Sequence, residues 1–180
     1  MNKNVSIKKT SKKDAVILRK LAITTFRESH GHSAPTKDID EYINAKFTLE
    51  NIQRELSDAS NVFHLVYVDK KLAGYSKIIY NTAYENLTQT NSTKLERLYV
   101  LEKFHDLKIG KQIMDFNLNL VTQNAQSGLW LYVWTENHRA VRFYKNYGFQ
   151  QIDETIFQIS AHHSNPNWIL SLEFRPMRQA

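Results

Sequence analysis

Between Lys94 and Phe149 the apolar residues switch between strand and helix spacing, and that succession leaves few folds open. Lys94–Leu101 (KLERLYVL) reads as a strand rich in Leu, Tyr and Val. Alternation would set Glu96, Leu98 and Val100 on one face, with Leu95, Arg97, Tyr99 and Leu101 on the other. From Ile109 the spacing becomes helical: Ile109, Ile113, Phe116 and Leu120 form one line, flanked by Met114, Leu118, Val121 and Ala125. A second strand carrying Trp130, Tyr132 and Trp134 follows, and then a helix over Asn137–Tyr147. A strand that turns into a helix presents free backbone N–H groups at the helix N-terminus, where the dipole favours an anion. Gly110 would let backbone approach such an anion without a Cβ in the way, and Lys108 and Lys111 could add positive charge.

The flanking sequence supplies the other elements of a mixed α/β domain spanning 1–180. Val5–Lys9 alternates as a strand, and Asp14–Glu28 has one apolar helical face. Residues 29–37, punctuated by Gly31 and Pro35, break the pattern. Ile39–Phe47 and Thr48–Leu56 form a second helical region, with Thr48 able to cap its latter part. Asn61–Val68 and Leu72–Tyr80 are spaced as a hairpin, and 81–92 is a polar loop. Phe149–Ile159 and Trp168–Phe174 close the chain as strands separated by 161–167. The expected order is β-α-α-β-β-β-α-β-α-β-β, with no repeat or domain boundary.

Several functions are disfavoured by residue usage. Zero cysteines exclude a disulfide framework, a thiolate metal site and a cysteine nucleophile. No serine sits in a nucleophile-elbow motif, so an acyl-enzyme is not expected. A net charge of +6 raises the question of nucleic acid, but no nucleic-acid motif accompanies it. Solvated surface is the plain reading, with attraction for an anionic cofactor the second. His30, His32, His162 and His163 lack carboxylate or thiolate company at a metal-binding spacing and read as loop histidines, so no metal is expected. The N-terminus lacks the apolar run of a signal peptide, and no apolar stretch approaches the ~20 residues of a membrane span. A soluble, cytoplasmic protein is expected.

The run His105–Gly110 is similar to the pyrophosphate loop Gln/Arg-x-x-Gly-x-Gly/Ala, with Gly110 as its matching residue. His105 stands where Gln or Arg is usual, and Lys108 where the first Gly is usual. Asn137, Ala140, Phe143–Tyr144 and Gly148–Phe149 repeat a second signature, N-x-x-A-x-x-F/L-Y-x-x-x-G-F, at the expected distance. On these residues the chain resembles the GNAT family of N-acetyltransferases, which use acetyl-CoA. With residues 24–35, 41–56, 95–100 and 129–149 it looks most like the PaiA-type branch, which acetylates spermidine and spermine.

The resemblance implies a GNAT-like mixed, mostly antiparallel sheet flanked by helices, and direct transfer of acetyl from acetyl-CoA to a primary amine, a polyamine being the expected acceptor. It implies a monomer or homodimer that acts on a small amine, with no nucleic acid, membrane or metal. Cofactor contacts would come from main chain around Leu98, Tyr99 and Val100, from the loop His105, Asp106, Leu107, Lys108, Ile109, Gly110 and Lys111, and from Asn137 and Tyr144. Asn137, Val141 and Tyr144 fall on one helical line, and Tyr144 would be the acid for the leaving thiolate. Glu96 would be the base; the open alternative is a salt bridge to Arg97 or a nearby lysine. Lys108 would restrict positive φ, so its loop should adopt a conformation open to non-glycine residues. Glu28, Asp38, Asp40, Glu41, Glu50 and Glu55 lie in the region expected to cover the acceptor, most of them as solvent-facing charge. Two other readings stay open: a non-catalytic acyl-CoA-binding module, suggested by His105 and Lys108, and an acetyltransferase for protein or peptide amines.

Overall fold

The computed structural model describes residues 3–87 and 91–174, so part of the expected 81–92 loop lies outside the described residues. Its strands are β1 (Val5–Lys9), β2 (Asn61–Val68), β3 (Lys71–Ile79), β4 (Thr93–Val100), β5 (Gly128–Trp134), β6 (Gln150–Gln158) and β7 (Ser164–Glu173). Its α-helices are α1 (Ala15–His30), α2 (Thr36–Lys46), α3 (Leu49–Ser57), α4 (Ile109–Gln123) and α5 (His138–Asn146). The strands form a sheet in the order β1-β2-β3-β4-β5-β7-β6. Neighbours pair antiparallel except β4 and β5, which run parallel. The mixed, mostly antiparallel sheet flanked by helices is the architecture the resemblance implied.

Local chemistry accounts for most boundaries. Thr48 accepts the Asn51 N–H at 3.1 Å and caps α3, so the second helical region is two helices and the expected order gains an element. The first helix runs on to His30, because no breaker precedes Gly31. The last strand begins at Ser164 rather than Trp168, with Pro166 at an exposed position where it pairs with Ile156. The segment expected as loop before Gly110 coils into a 3₁₀ turn, Glu102–Leu107.

One apolar cluster lies under α1–α3 and includes Leu18, Phe26, Ile39, Ile52 and Tyr75. Another joins α4 and α5 to the sheet through Ile78, Leu95, Met114, Val121, Val141 and Tyr144. Their membership corrects the face assignment in β4. Leu95 joins Leu98 in the α4 cluster, whereas Tyr99 and Leu101 pack with α1–α3. The cause is a bulge: Arg97 pairs with Lys77 and Leu95 with Ile78, leaving Glu96 opposite no residue of β3. An extra residue reverses the alternation on one side of itself.

Candidate active site

The parallel pairing of β4 with β5 stops almost where it starts. Thr93 pairs with Leu129 and Lys94 with Trp130, and beyond these residues the strands diverge. The gap opens a cleft of about 740 Å³, walled by β4, β5, the 102–111 segment, α5 and the C-terminal end of α1. Among the described residues, main chain of β4 facing this gap has no strand to pair with, so its polar groups, the Val100 carbonyl apart, are open to a ligand.

One end of the cleft is the turn into α4. His105 Nε2 lies 2.9 Å from the Val100 carbonyl, and Arg139 Nη1 lies 2.7 Å from His105 Nδ1. A guanidinium can only donate, so Nδ1 accepts and Nε2–H donates to the carbonyl. His105 therefore ties the end of β4 to α5, and Arg139, on which sequence reasoning was silent, joins the loop. Lys108 has φ 56° and ψ 24°. The expected restriction is thus met differently: φ is positive, in the small left-handed basin that L side chains can enter. Among the described residues, Lys108 gives α4 no side-chain cap, which leaves the first-turn N–H groups free. A Cβ built on Gly110 would sit 3.8 Å from the Phe143 ring, an ordinary contact. Packing therefore does not demand glycine there, whereas close approach of a ligand would. Lys111 Nζ is 2.7 Å from Asp115, which Tyr147 Oη also approaches at 2.7 Å.

Tyr144 lines the middle of the cleft and is buried, its ring 5.3 Å from Phe143 and 5.6 Å from Phe149. Burial, and then the neighbouring Tyr99, push its phenol well above the ordinary value, so it keeps its proton. Its hydroxyl makes no hydrogen bond among the described residues. Asn137 caps α5 by accepting the Ala140 N–H at 3.1 Å and also lines the cleft.

Glu96 has Lys94 Nζ at 2.7 Å. Burial pushes its carboxyl up, but Lys94, by charge and hydrogen bond, with Lys77 and Arg97, holds it below the ordinary value. Of the alternatives left open by the sequence, the lysine is the partner. Arg97 is taken by Glu55 through a bidentate pair at 2.9 and 3.1 Å, and Lys77 Nζ is 3.3 Å from the same carboxylate.

The other end of the cleft is aromatic. His30, at the end of α1 and not in a loop, stacks on Phe26 at 4.7 Å and on Trp134 at 5.9 Å. Burial, with His32 nearby, pulls its imidazole down to about 4. Tyr132, Phe157 and Asn167 complete this end. The sequence placed Trp134 in this strand, but its meeting with His30 was hidden there. Of the six acids expected near the acceptor, Glu28 lines the cleft. Asp40 pairs with Arg27, Glu41 with Lys37, and Asp38 with His163.

The profile of the Acetyltransferase (GNAT) family matches residues 17–149. An uncharacterised N-acetyltransferase of Lactobacillus delbrueckii subsp. lactis is 26% identical over 153 residues, which is 85% of this chain and 88% of that protein. One from Mycobacterium tuberculosis is 24% identical over 152 residues, 84% of this chain and 93% of its own. Among solved structures, the PaiA N-acetyltransferase of Thermoplasma acidophilum in complex with coenzyme A superposes with a TM-score of 0.76 at 20% identity, covering 95% of this chain and 99% of the other. At that identity the likeness speaks for the fold.

Proposed function

The chain belongs to the acetyltransferase (GNAT) family, whose reaction takes acetyl from acetyl-CoA, and from that premise we propose direct transfer to a small primary amine. The observation that carries this reading is the divergence of β4 from β5 beside the α4 N-terminus, which opens a cleft with phosphate-binding geometry at one end and a separate recess at the other.

In this reading the loop His105–Lys111 holds the pyrophosphate through first-turn N–H groups of α4, helped by Lys108 and Lys111. The pantetheine arm lies between the strands. A main-chain N–H of Leu98–Val100 donates to the thioester carbonyl, where negative charge grows as the amine attacks. The amine nitrogen bonds to the carbonyl carbon, the carbon–sulfur bond breaks, the thiolate takes the Tyr144 proton, and the proton shed by the new amide nitrogen passes through water to restore the phenol. A phenol held protonated by burial suits that task, because the same dry surroundings raise the cost of a free thiolate. Asn137 contributes by fixing the start of α5 and hence the place of Tyr144.

An amine of pKa ~10 must lose a proton before it attacks. Glu96, held ionised by Lys94, is a weak proton acceptor but a good electrostatic anchor for an arriving ammonium. We therefore assign Glu96 to relay the proton outward through water. The PaiA resemblance points to spermidine or spermine, and Glu28 beside the cleft supports it. A multiply charged amine calls for several free carboxylates, and Asp38, Asp40, Glu41 and Glu55 have protein partners instead.

The test is release of CoA thiol from acetyl-CoA in the presence of a panel of amines and a lysine peptide, with the acetylated product identified by mass. Amine-dependent release with formation of the acetamide is expected. Tight binding of coenzyme A without turnover of any amine or peptide would instead favour a binding module, and a peptide preference would favour a protein acetyltransferase.

A further inference from the structure

The last residue of β4 that pairs with β5 is a lysine, placed at the fork where the two strands part. Lys94 pairs with Trp130, and its Nζ lies 5.1 Å over that ring and 4.4 Å over Tyr132. The same Nζ is 2.7 Å from the Glu96 carboxylate. Two ring faces and a carboxylate hold one ammonium, so the seat of Lys94 does not depend on Glu96 alone. Both side chains line the cleft.

Charge around the fork is unbalanced. Lys94, Lys77 and Arg97 all act on Glu96, and the other carboxylate among them, Glu55, is bound to both Lys77 and Arg97. Three cations thus stand against two carboxylates. Tyr42 and Tyr99 also feel Glu96, but burial pushes both phenols up, so they add no charge. Glu28 at the end of α1, Glu102 in the 3₁₀ turn and Glu136 just before α5 line the cleft as well. All three are exposed, where water and salt screen them. The cleft therefore draws cations in by its exposed acids and meets them at the fork with a cation excess.

A protonated amine reaching Glu96 is the second ammonium on a carboxylate that already has one. Charges within ~4–6 Å move a pKa by ~1–3 units, and a like charge moves it against the charged form. The neutral amine meets no such repulsion.

On the premise of the transfer reaction above, we propose that Lys94 is a resident cation that drives the proton off the acceptor ammonium at Glu96. The amine then stays as the free base, and its proton leaves to solvent through the water relay at Glu96. Lys94 works through Glu96 and through the field it sets there, and is a positioning residue for the acceptor.

The experiment measures kcat and KM of the full chain for hexylamine, spermidine and acetyl-CoA between about pH 6 and pH 10, in wild type, Lys94→Met and Lys94→Arg. Without the Lys94 ammonium, Lys77 and Arg97 still keep Glu96 ionised, and it holds the acceptor in the protonated, unreactive form. Near neutral pH, Lys94→Met should therefore lower KM for the amine about threefold and lower kcat by about tenfold or more. The kcat deficit should shrink as the pH rises toward the ~10 of a free amine. KM for acetyl-CoA should not change, and Lys94→Arg, which keeps a cation over the rings, should stay within about twofold of wild type. Tyr132 is 41% exposed, so Tyr132→Leu loosens the same seat without touching the core and should move kcat and KM in the same directions by smaller factors. A kcat deficit constant across pH, or a raised KM for the amine in either Lys94→Met or Tyr132→Leu, would overturn the role of Lys94 while leaving the transfer reaction standing. Turnover of neither amine by wild type, with coenzyme A still binding in calorimetry, would overturn transfer to small amines and the role of Lys94 with it.

Discussion

Removing the Glu55 charge tests how the floor of the cleft is held. Glu55 comes from α3 and is the anion between two cations of the sheet. The Lys77 side chain is 6% exposed, that of Arg97 15% and that of Glu55 24%. Glu55→Gln keeps the shape and one acceptor but leaves Arg97 and Lys77 without their shared carboxylate. Breaking a fully buried pair costs ~3–5 kcal/mol. Partial exposure of Glu55, the surviving carboxamide oxygen and the nearby Glu96 reduce this, so a loss of about 2–3 kcal/mol is expected in urea unfolding at pH 7. The pH dependence gives the sharper check. Burial, and then Arg97, pull Lys77 below its ordinary value against the pull of Glu55 and Glu96 in the other direction. A lysine whose folded value is lowered binds fewer protons folded than unfolded, so stability rises with pH between the folded value and the unfolded ~10.4. Removing Glu55 lowers the folded value further. The deficit of Glu55→Gln should therefore be largest near pH 7 and shrink as the pH rises through the folded value of Lys77, where the lysine loses the charge that Glu55 offsets. A loss under 1 kcal/mol, or a deficit constant across that range, would refute the claim that Glu55 serves chiefly to neutralise this pair.

Tyr144→Phe keeps the packing against Phe143 and Phe149 and should lower kcat by ~10²–10⁴ with little change in KM for acetyl-CoA; an unchanged kcat with chemistry rate-limiting would end its role as acid. Gly110→Val places its Cβ in ordinary contact with Phe143, so the variant should fold with a wild-type thermal midpoint yet bind coenzyme A at least tenfold more weakly by calorimetry. His64 is 5% exposed and its Nδ1 has no partner among the described residues, and burial, then Lys9, pull it down to about 4. Its unfolded form binds protons first, so stability should fall as pH drops from ~6.5 toward 4, by up to ~3 kcal/mol, and His64→Leu should flatten that slope in urea titrations.

Some of this molecule is legible from neighbouring residues alone. The boundaries of β1 and β2 match the apolar alternation to the residue, and the Thr48 cap and the Ile109 start of α4 were readable from local chemistry. These features depend on residues a few positions apart, whose periodicity and capping preferences act wherever the segment is placed. Asn137, Tyr144, Gly110 and Glu96 were singled out through the family resemblance that their motifs carry, and all of them line one cleft.

What the tertiary structure alone decided lies where distant segments meet. Alternation places Glu96 with Leu98, but pairing of β4 with β3 inserts a bulge that turns Leu95 toward α4 instead. Arg97 was the nearest cation to Glu96 along the chain, yet it turns to Glu55, 42 residues away, and Lys94 takes its place. His105, read as part of a phosphate grip, is held between Val100 and Arg139. His30 and Trp134, more than a hundred positions apart, stack in the recess, with Asn167 opposite Trp134 across the sheet. Local spacing sets which face a side chain starts from, because dihedral preferences are local. Which partner it meets there is set by strand register and helix placement, and those follow from burying the whole apolar surface at once.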